Sequence, residues 1–271
     1  MNRGIIIFGG GLLVFMLVWM SFPKGKNSEN VAQNQISPVV AEFYSKATRL
    51  KKEGDILQAK EVYLEILRDH SDVENIATIQ KELEDLNLDI LFSSTPVPEK
   101  SAIHKVVVGD TLGKISKKYG VTIELIKKSN HLKSDVIRVG QKLRIWQGSF
   151  NVFVDKSQNI LILKDGEEVV KAYSVATGEN NSTPVGTFKI TTKLIDPVWF
   201  NRGVVVPPES PENALGTRWL GFDLPGYGIH GTPEPDTIGE QVTAGCVRMR
   251  NEEVEELYGI VPQGTEVTVV D

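Results

Sequence analysis

Apolar positions recur along this chain with two different periods, and the change of period divides it. From Ala41 to Phe92 they return every three or four residues, as in Ala47, Leu50, Ala59, Val62, Tyr63, Ile66 and Leu67. That spacing predicts helices opened by Pro38, broken at Gly54-Asp55 and resumed from Ile76 to Leu91. From Phe150 the period is two. NVFVDKSQNILILKDGEEVVKAYSVATG predicts three strands joined by Ser157-Gln158-Asn159 and by the Asp165-Gly166 turn signal. STPVGTFKI adds a turn and a strand, Asn251–Tyr258 a single helix, and Val267–Val270 a last strand, so a mostly antiparallel β domain is expected over 150–271.

Between these blocks lies a short mixed pattern. Pro96 and Pro98 make 93–102 a linker. Residues 103–147 then predict strand, helix, helix, strand, with Asp110 or Thr111 capping the first helix, a second helix at Ile123–Lys128 and a closing strand at Lys142–Trp146. Leu112, Ile115, Ile126, Leu132, Ile137, Leu143 and Ile145 are the expected core of this small α+β module.

The amino terminus has no period at all. Gly4–Met20 is 17 uncharged, mostly apolar residues, with Arg3 before it and Lys24 and Lys26 after. It is just long enough to span a bilayer as a helix. SFPKGK offers no small-x-small cleavage site, which favours a retained anchor over a signal peptide in 1–23. Residues 24–39 read as a flexible linker and 40–92 as the helical segment. The whole is therefore a multi-domain chain: transmembrane helix, short α-helical segment, small α+β module, mostly β domain.

Composition changes the picture in two places. The formal net charge of −5 hides an asymmetry: 103–147 carries ten Lys/Arg against three Asp/Glu, and 150–271 nine against eighteen. With neither aromatic interleaving nor a recognisable reader pattern, the basic stretch does not predict nucleic-acid binding. The chain also has one cysteine, Cys246, and one histidine after position 131, His230, 16 residues before it. A thiol is mostly protonated at neutral pH, and an adjacent imidazole can take that proton and later give it to a leaving amine. Gly231 and Gly245 allow close backbone approach, and amides around Gly245-Cys246 are candidates to face an oxyanion. The competing reading is a small buried hydrophobe and a satisfied core histidine.

The surroundings decide between them. IHGT and TAGCVRM resemble the catalytic motif of the YkuD family of L,D-transpeptidases, and VATG, TPVGTFKI, DPVWF, NALGTRWLGF and GYGIHGT stand in that family's order through 150–271. The resemblance implies Cys246 as nucleophile, His230 as base and the Gly231 carbonyl as the group orienting the imidazole, with Thr243, Gly245 and Arg248 near the substrate. Many members carry His immediately before Gly-Cys. Here that residue is Ala244, so the chemistry rests on His230. Arg218 and Arg248 are candidate forks for stem-peptide carboxylates, and Tyr227, Trp199 and Trp219 candidate pocket walls.

Residues 104–146 resemble a LysM domain in VVVGDTL, Asn130 and IRVGQKLRI, which implies binding of peptidoglycan glycan strands through Gly109, Asp110, Thr111 and the Val136-Ile137-Arg138 loop. Residues 47–67 resemble one tetratricopeptide repeat, with Gly54, Ala59 and Tyr63 at packing positions. A protein partner, self-association and a plain spacer are the readings for that segment.

The family reading implies transfer from a stem tetrapeptide through a Cys246 thioester, release of D-Ala and a 3→3 cross-link, at the extracytoplasmic face of a bacterial envelope. Its alternatives are an L,D-carboxypeptidase or endopeptidase and a non-catalytic wall-binding scaffold. No metal-ligand spacing or phosphate loop is present in the sequence, so no cofactor is expected.

Overall fold

The computed structural model describes residues 38–271 except Asp72, Glu74 and Arg202. The proposed anchor and most of the linker after it lie outside the described residues, among which no helix is long and apolar enough to cross a membrane. Residues up to Ile90 form one compact unit and Leu91–Asp271 another.

The first unit is helical: α1 (Pro38–Glu53), α2 (Ile56–Asp69) and α3 (Ile76–Phe92), whose last two residues belong to the second unit. The chain turns between α1 and α2 at Gly54, where φ is +87° and a side chain would be strained. Ala47 and Leu50 of α1 and Ala59, Val62, Tyr63 and Ile66 of α2 are buried, as the three-and-four spacing requires. Tyr44 meets Tyr63 edge-on at 6.1 Å.

The second unit begins with β1 (Ser101–Lys105), α4 (Leu112–Tyr119), α5 (Ile123–Ser129) and β2 (Lys142–Trp146), with β1 and β2 antiparallel. Thr111 is the cap of α4, its hydroxyl accepting from Lys114 N at 3.2 Å. Leu112, Ile115, Ile126, Leu143 and Ile145 are buried, but Leu132 and Ile137 are only half-buried. Both lie in the 130–141 connection, which runs along the surface. Val106, Val121 and Leu125 take their places in the core.

The rest is β3 (Phe150–Asp155), β4 (Ile160–Asp165), β5 (Glu168–Ser174), β6 (Thr177–Gly178), β7 (Gly186–Ile195), β8 (Trp199–Asn201), β9 (Val204–Val206), β10 (Arg218–Phe222), β11 (Gly228–His230), β12 (Gln241–Thr243), β13 (Val247–Arg248), α6 (Asn251–Ile260) and β14 (Glu266–Val270). The hairpin expected at Asp165-Gly166 is displaced by one residue. Asp165 still pairs with Glu168, so the loop is Gly166-Glu167, and Asp165 is buried against Lys100 at 2.8 Å.

Eight strands form one sheet in the order β13-β11-β10-β7-β14-β3-β4-β5. Adjacent pairs are mostly antiparallel, but β14 runs parallel to β3, and β13 parallel to β11. The C-terminal strand thus lies inside the sheet, between β3 and β7, an arrangement that local periodicity does not encode.

Helix α6 connects the two modules of this unit. Its last carbonyls would be unsatisfied without partners. Thr122, which caps α5, donates its hydroxyl to Gly259 O, and Lys193 Nζ donates to Tyr258 O at 2.6 Å and Val261 O at 2.7 Å. Burial pushes the Lys193 ammonium down to about 8, opposed by Glu124 of α5. The small module is therefore joined to the β domain at this helix end by the Thr122 hydroxyl, while Lys193 completes the end from within the β domain.

Candidate active site

Strand register brings the lone cysteine and its histidine together. In the parallel pair, Ile229 lies opposite Val247 and His230 opposite Arg248. Cys246 immediately precedes β13, and the charge of Arg248 acts on both Cys246 and His230. On the other side of His230 its antiparallel partner is Trp219, and the two rings stack at 6.0 Å and 23°. The opposite face is the core, where Leu220, Ile229 and Val247 are fully buried with Val254 and Leu257 of α6.

His230 is 4% exposed. Its Nδ1 lies 2.6 Å from Gly231 O, which assigns the proton to Nδ1 and leaves Nε2 as the basic atom. Among the described residues Nε2 has no hydrogen-bond partner. Burial pushes the imidazole down to about 4 against the pull of the Gly231 carbonyl, and Arg248 lowers it further. The ring is therefore neutral at pH 7.

Cys246 is half-buried. Its Sγ lies 3.5 Å from Gly226 O, so at rest the thiol is directed to that carbonyl and not to His230. Burial raises the thiol above its ordinary value, while an interaction with the Gly228 backbone and the Arg248 charge oppose the rise. The resting pair is thus neutral thiol and neutral imidazole, an arrangement in which the base removes the proton as the nucleophile attacks.

The loop carrying Cys246 is closed by Thr243. Its hydroxyl donates to Cys246 O at 2.7 Å and accepts from Gly245 N at 3.2 Å. Thr243 is buried, so its hydroxyl is engaged within the loop and is not offered to a substrate. The same bonds divide the two amides read as oxyanion donors: Gly245 N is engaged, whereas Cys246 N has no protein partner among the described residues. Gly245 has φ +128°, and a Cβ there would lie 2.7 Å from the Tyr227 ring, which places Tyr227 against the nucleophile loop.

The two arginines part company. Arg248 Nη1 donates to Thr237 Oγ1 at 2.9 Å and Glu234 Oε2 at 3.2 Å. Arg218 neighbours Trp219 on β10 and so projects from the opposite face. Its guanidinium reaches Thr217 O at 2.6 Å, Glu255 at 3.8 Å, Asp196 at 3.9 Å and the Tyr258 ring. Arg218, a candidate fork for stem-peptide carboxylates, thus has its contacts on the flank of α6 and at the ends of β7 and β10. Trp199 lies on β8, in a two-stranded hairpin with β9 outside the main sheet.

In the small module, Gly109 has φ +87° and its carbonyl accepts from Lys114 Nζ at 2.7 Å. Asp110 accepts from Val107 N at 2.8 Å and pairs with His104 Nε2 at 2.9 Å. The Val107 amide first, and His104 second, hold its carboxyl below the usual range. Val106 N donates to Gln141 O and Gly140 N to Val106 O, both at 2.8 Å, so the 106–111 and 136–141 loops run side by side. A groove of about 510 Å³ is lined there by Ser134, Val136, Arg138 and Gln141. Of the Val136-Ile137-Arg138 loop expected at this site, Val136 and Arg138 line the groove and Ile137 is half-buried.

Sequence reasoning missed Asn251, whose side chain is bonded to the segment after His230. An Asn opening a helix reads as a cap, and nothing local distinguishes the two uses.

Residues 149–269 match the YkuD family model, an L,D-transpeptidase catalytic domain, and 104–146 match the LysM domain model. A Bacillus subtilis protein described as putative L,D-transpeptidase YqjB is 40% identical over 126 residues, covering 44% of this chain and 70% of its own length. The B. subtilis putative L,D-transpeptidase YkuD is 30% identical over 173 residues, covering 61% of this chain and 97% of its own. The probable peptidoglycan endopeptidase LytE of the same organism is 62% identical over 42 residues, which is 16% of this chain and 13% of that protein.

Proposed function

We propose, from the premise that this chain belongs to the YkuD family of L,D-transpeptidases, that it forms 3→3 peptidoglycan cross-links through a thioester on Cys246. The observation that carries the chemistry is the placement of His230. Its Nδ1 is tied to the Gly231 carbonyl, its Nε2 is open, and its strand pairs with the one that follows Cys246 directly.

In the donor half-reaction His230 Nε2 takes the thiol proton while Sγ attacks the carbonyl carbon of the third stem residue, a diamino acid. The oxyanion that forms faces the Cys246 amide. Its collapse breaks the C–N bond to D-Ala, and the imidazolium returns the proton to the leaving amine. The side-chain amine of a neighbouring stem then attacks the thioester, gives its proton to His230, and the departing thiolate is reprotonated. Thr243 and Tyr227 hold the nucleophile loop through this cycle, and Arg248 supplies positive charge beside it. The LysM domain supports a peptidoglycan substrate, and the groove beside Arg138 is the proposed glycan contact. The chemistry takes place on the wall side of the envelope.

The test incubates full-length protein and its Cys246→Ala variant with purified disaccharide-tetrapeptide and weighs the products. Dimers lacking one D-Ala, absent with Cys246→Ala, are expected. Tripeptide alone would assign an L,D-carboxypeptidase, and no thiol-dependent product would assign a scaffold.

A further inference from the structure

The peptide that orients His230 is itself held from outside its own strand. Asn251, the first residue of α6, accepts through Oδ1 from Thr232 N at 3.0 Å and from Thr217 N at 3.2 Å. Thr232 N–H and Gly231 O are the two ends of one peptide unit, and that carbonyl accepts from His230 Nδ1 at 2.6 Å. Because a peptide unit is planar and stiff, fixing its N–H fixes its C=O. Imidazole, peptide and carboxamide therefore form a head-to-tail chain in which each hydrogen bond polarises the next. By accepting from the Thr232 N–H, Asn251 shifts electron density onto Gly231 O. A stronger acceptor at Nδ1 makes Nε2 a better base.

Two glycines keep this arrangement open. A Cβ at Gly231 or at Gly216 would collide with Asn251 Oδ1, and Gly216 also sits at φ +60°. The Asn251 side chain does not cap the helix: Arg250 occupies the cap position, without a side-chain bond, and Asn251 Oδ1 is engaged by Thr217 N and Thr232 N.

We propose that Asn251 is a positioning residue for the general base, setting the tautomer and basicity of His230 through the Gly231–Thr232 peptide without touching substrate. This rests on the reading of His230 as the base of Cys246, but its first readouts do not depend on transfer chemistry. Full-length protein labelled with ¹⁵N-histidine carries only four imidazoles, so the tautomer of His230 can be followed in wild type, Asn251→Leu and Asn251→Asp. In parallel, the pH dependence of Cys246 alkylation by iodoacetamide reports the thiol–imidazole pair.

With N251L a mixture of Nδ1–H and Nε2–H tautomers is expected, together with slower alkylation at neutral pH. Turnover of disaccharide-tetrapeptide should fall by about 10–100-fold in kcat with little change in KM. N251D keeps an acceptor for both amides and should retain the Nδ1–H tautomer and recover most of the alkylation rate. Asn251→Ser, too short to reach both amides, replaces N251L if that variant does not fold. A wild-type tautomer and alkylation profile in N251L would overturn the proposal. So would an N251D protein as impaired as N251L with the loss matched by a lower Tm. If the tautomer and alkylation results hold while wild type releases no D-Ala, the transfer reading fails and the role of Asn251 stands.

Discussion

Two buried histidines of this chain differ in what their hydrogen bonds leave over. His104, 8% exposed in the LysM module, has both nitrogens engaged: Nδ1 with Tyr119 Oη at 3.1 Å and Nε2 with Asp110 at 2.9 Å. His230, 4% exposed in the transpeptidase domain, has one nitrogen bound to the Gly231 carbonyl and the other without a hydrogen-bond partner among the described residues. Burial alone does not separate them. What separates them is whether a basic lone pair is left over once the local hydrogen bonds are made.

Replacement is the sharpest way to break the comparison. His230→Gln should lower kcat about 10³-fold, the scale of a lost general base, whereas His104→Gln should leave turnover of a soluble disaccharide-tetrapeptide unchanged and cost about 1–3 kcal/mol of stability. Kinetics and urea denaturation of the two variants check this, and comparable kinetic losses in both would erase the distinction.

Titration gives the next largest effect. The His230 imidazole falls from its ordinary 6.5 to about 4 on folding, so between those values the unfolded chain binds more protons and stability rises with pH. The contribution is complete above pH 6.5 and is lost as pH falls through 4, an expected swing of about 3 kcal/mol. Urea denaturation of wild type against H230Q at pH 7.5 and pH 4 isolates it. A gap that does not change with pH would refute the depressed imidazole.

The smallest effect concerns the joint between the two modules. Thr122→Val removes the donor to Gly259 O and the cap of α5 and should cost about 1–2 kcal/mol. If LysM and transpeptidase domains unfold as one body, a single transition moves to lower urea. Two transitions, with only the LysM step moved, would show that the joint does not couple them.

Much of this was legible in sequence, and for physical reasons. The period-two pattern from Phe150 located the strands, and the joint occurrence of IHGT and TAGCVRM pointed to the family whose model matches 149–269. Thr111 was one of two cap candidates, and its side-chain oxygen is the one the helix uses. What stayed hidden depends on partners distant in sequence. Periodicity says that Arg218 and Trp219 face opposite ways but not which of them meets His230; that follows from Trp219 lying opposite His230. The placing of β14 needs the pairing of Glu266 with Asn151. Asn251 was hidden because its bonds run to Thr217 and Thr232, both remote along the chain.

The inside position of β14 also dictates an order of assembly. Its five residues, Glu266–Val270, come after the loop of Cys246 in the chain and fill the gap between β3 and β7. The nucleophile loop is therefore already synthesised while the sheet that carries it still has an unpaired seam. Closing that seam brings together segments more than a hundred residues apart, a contact of the kind that slows folding and leaves strand edges exposed meanwhile. Until β14 pairs, β3 and β7 each lack a neighbour on that side, and the segment that carries Cys246 belongs to an incomplete sheet.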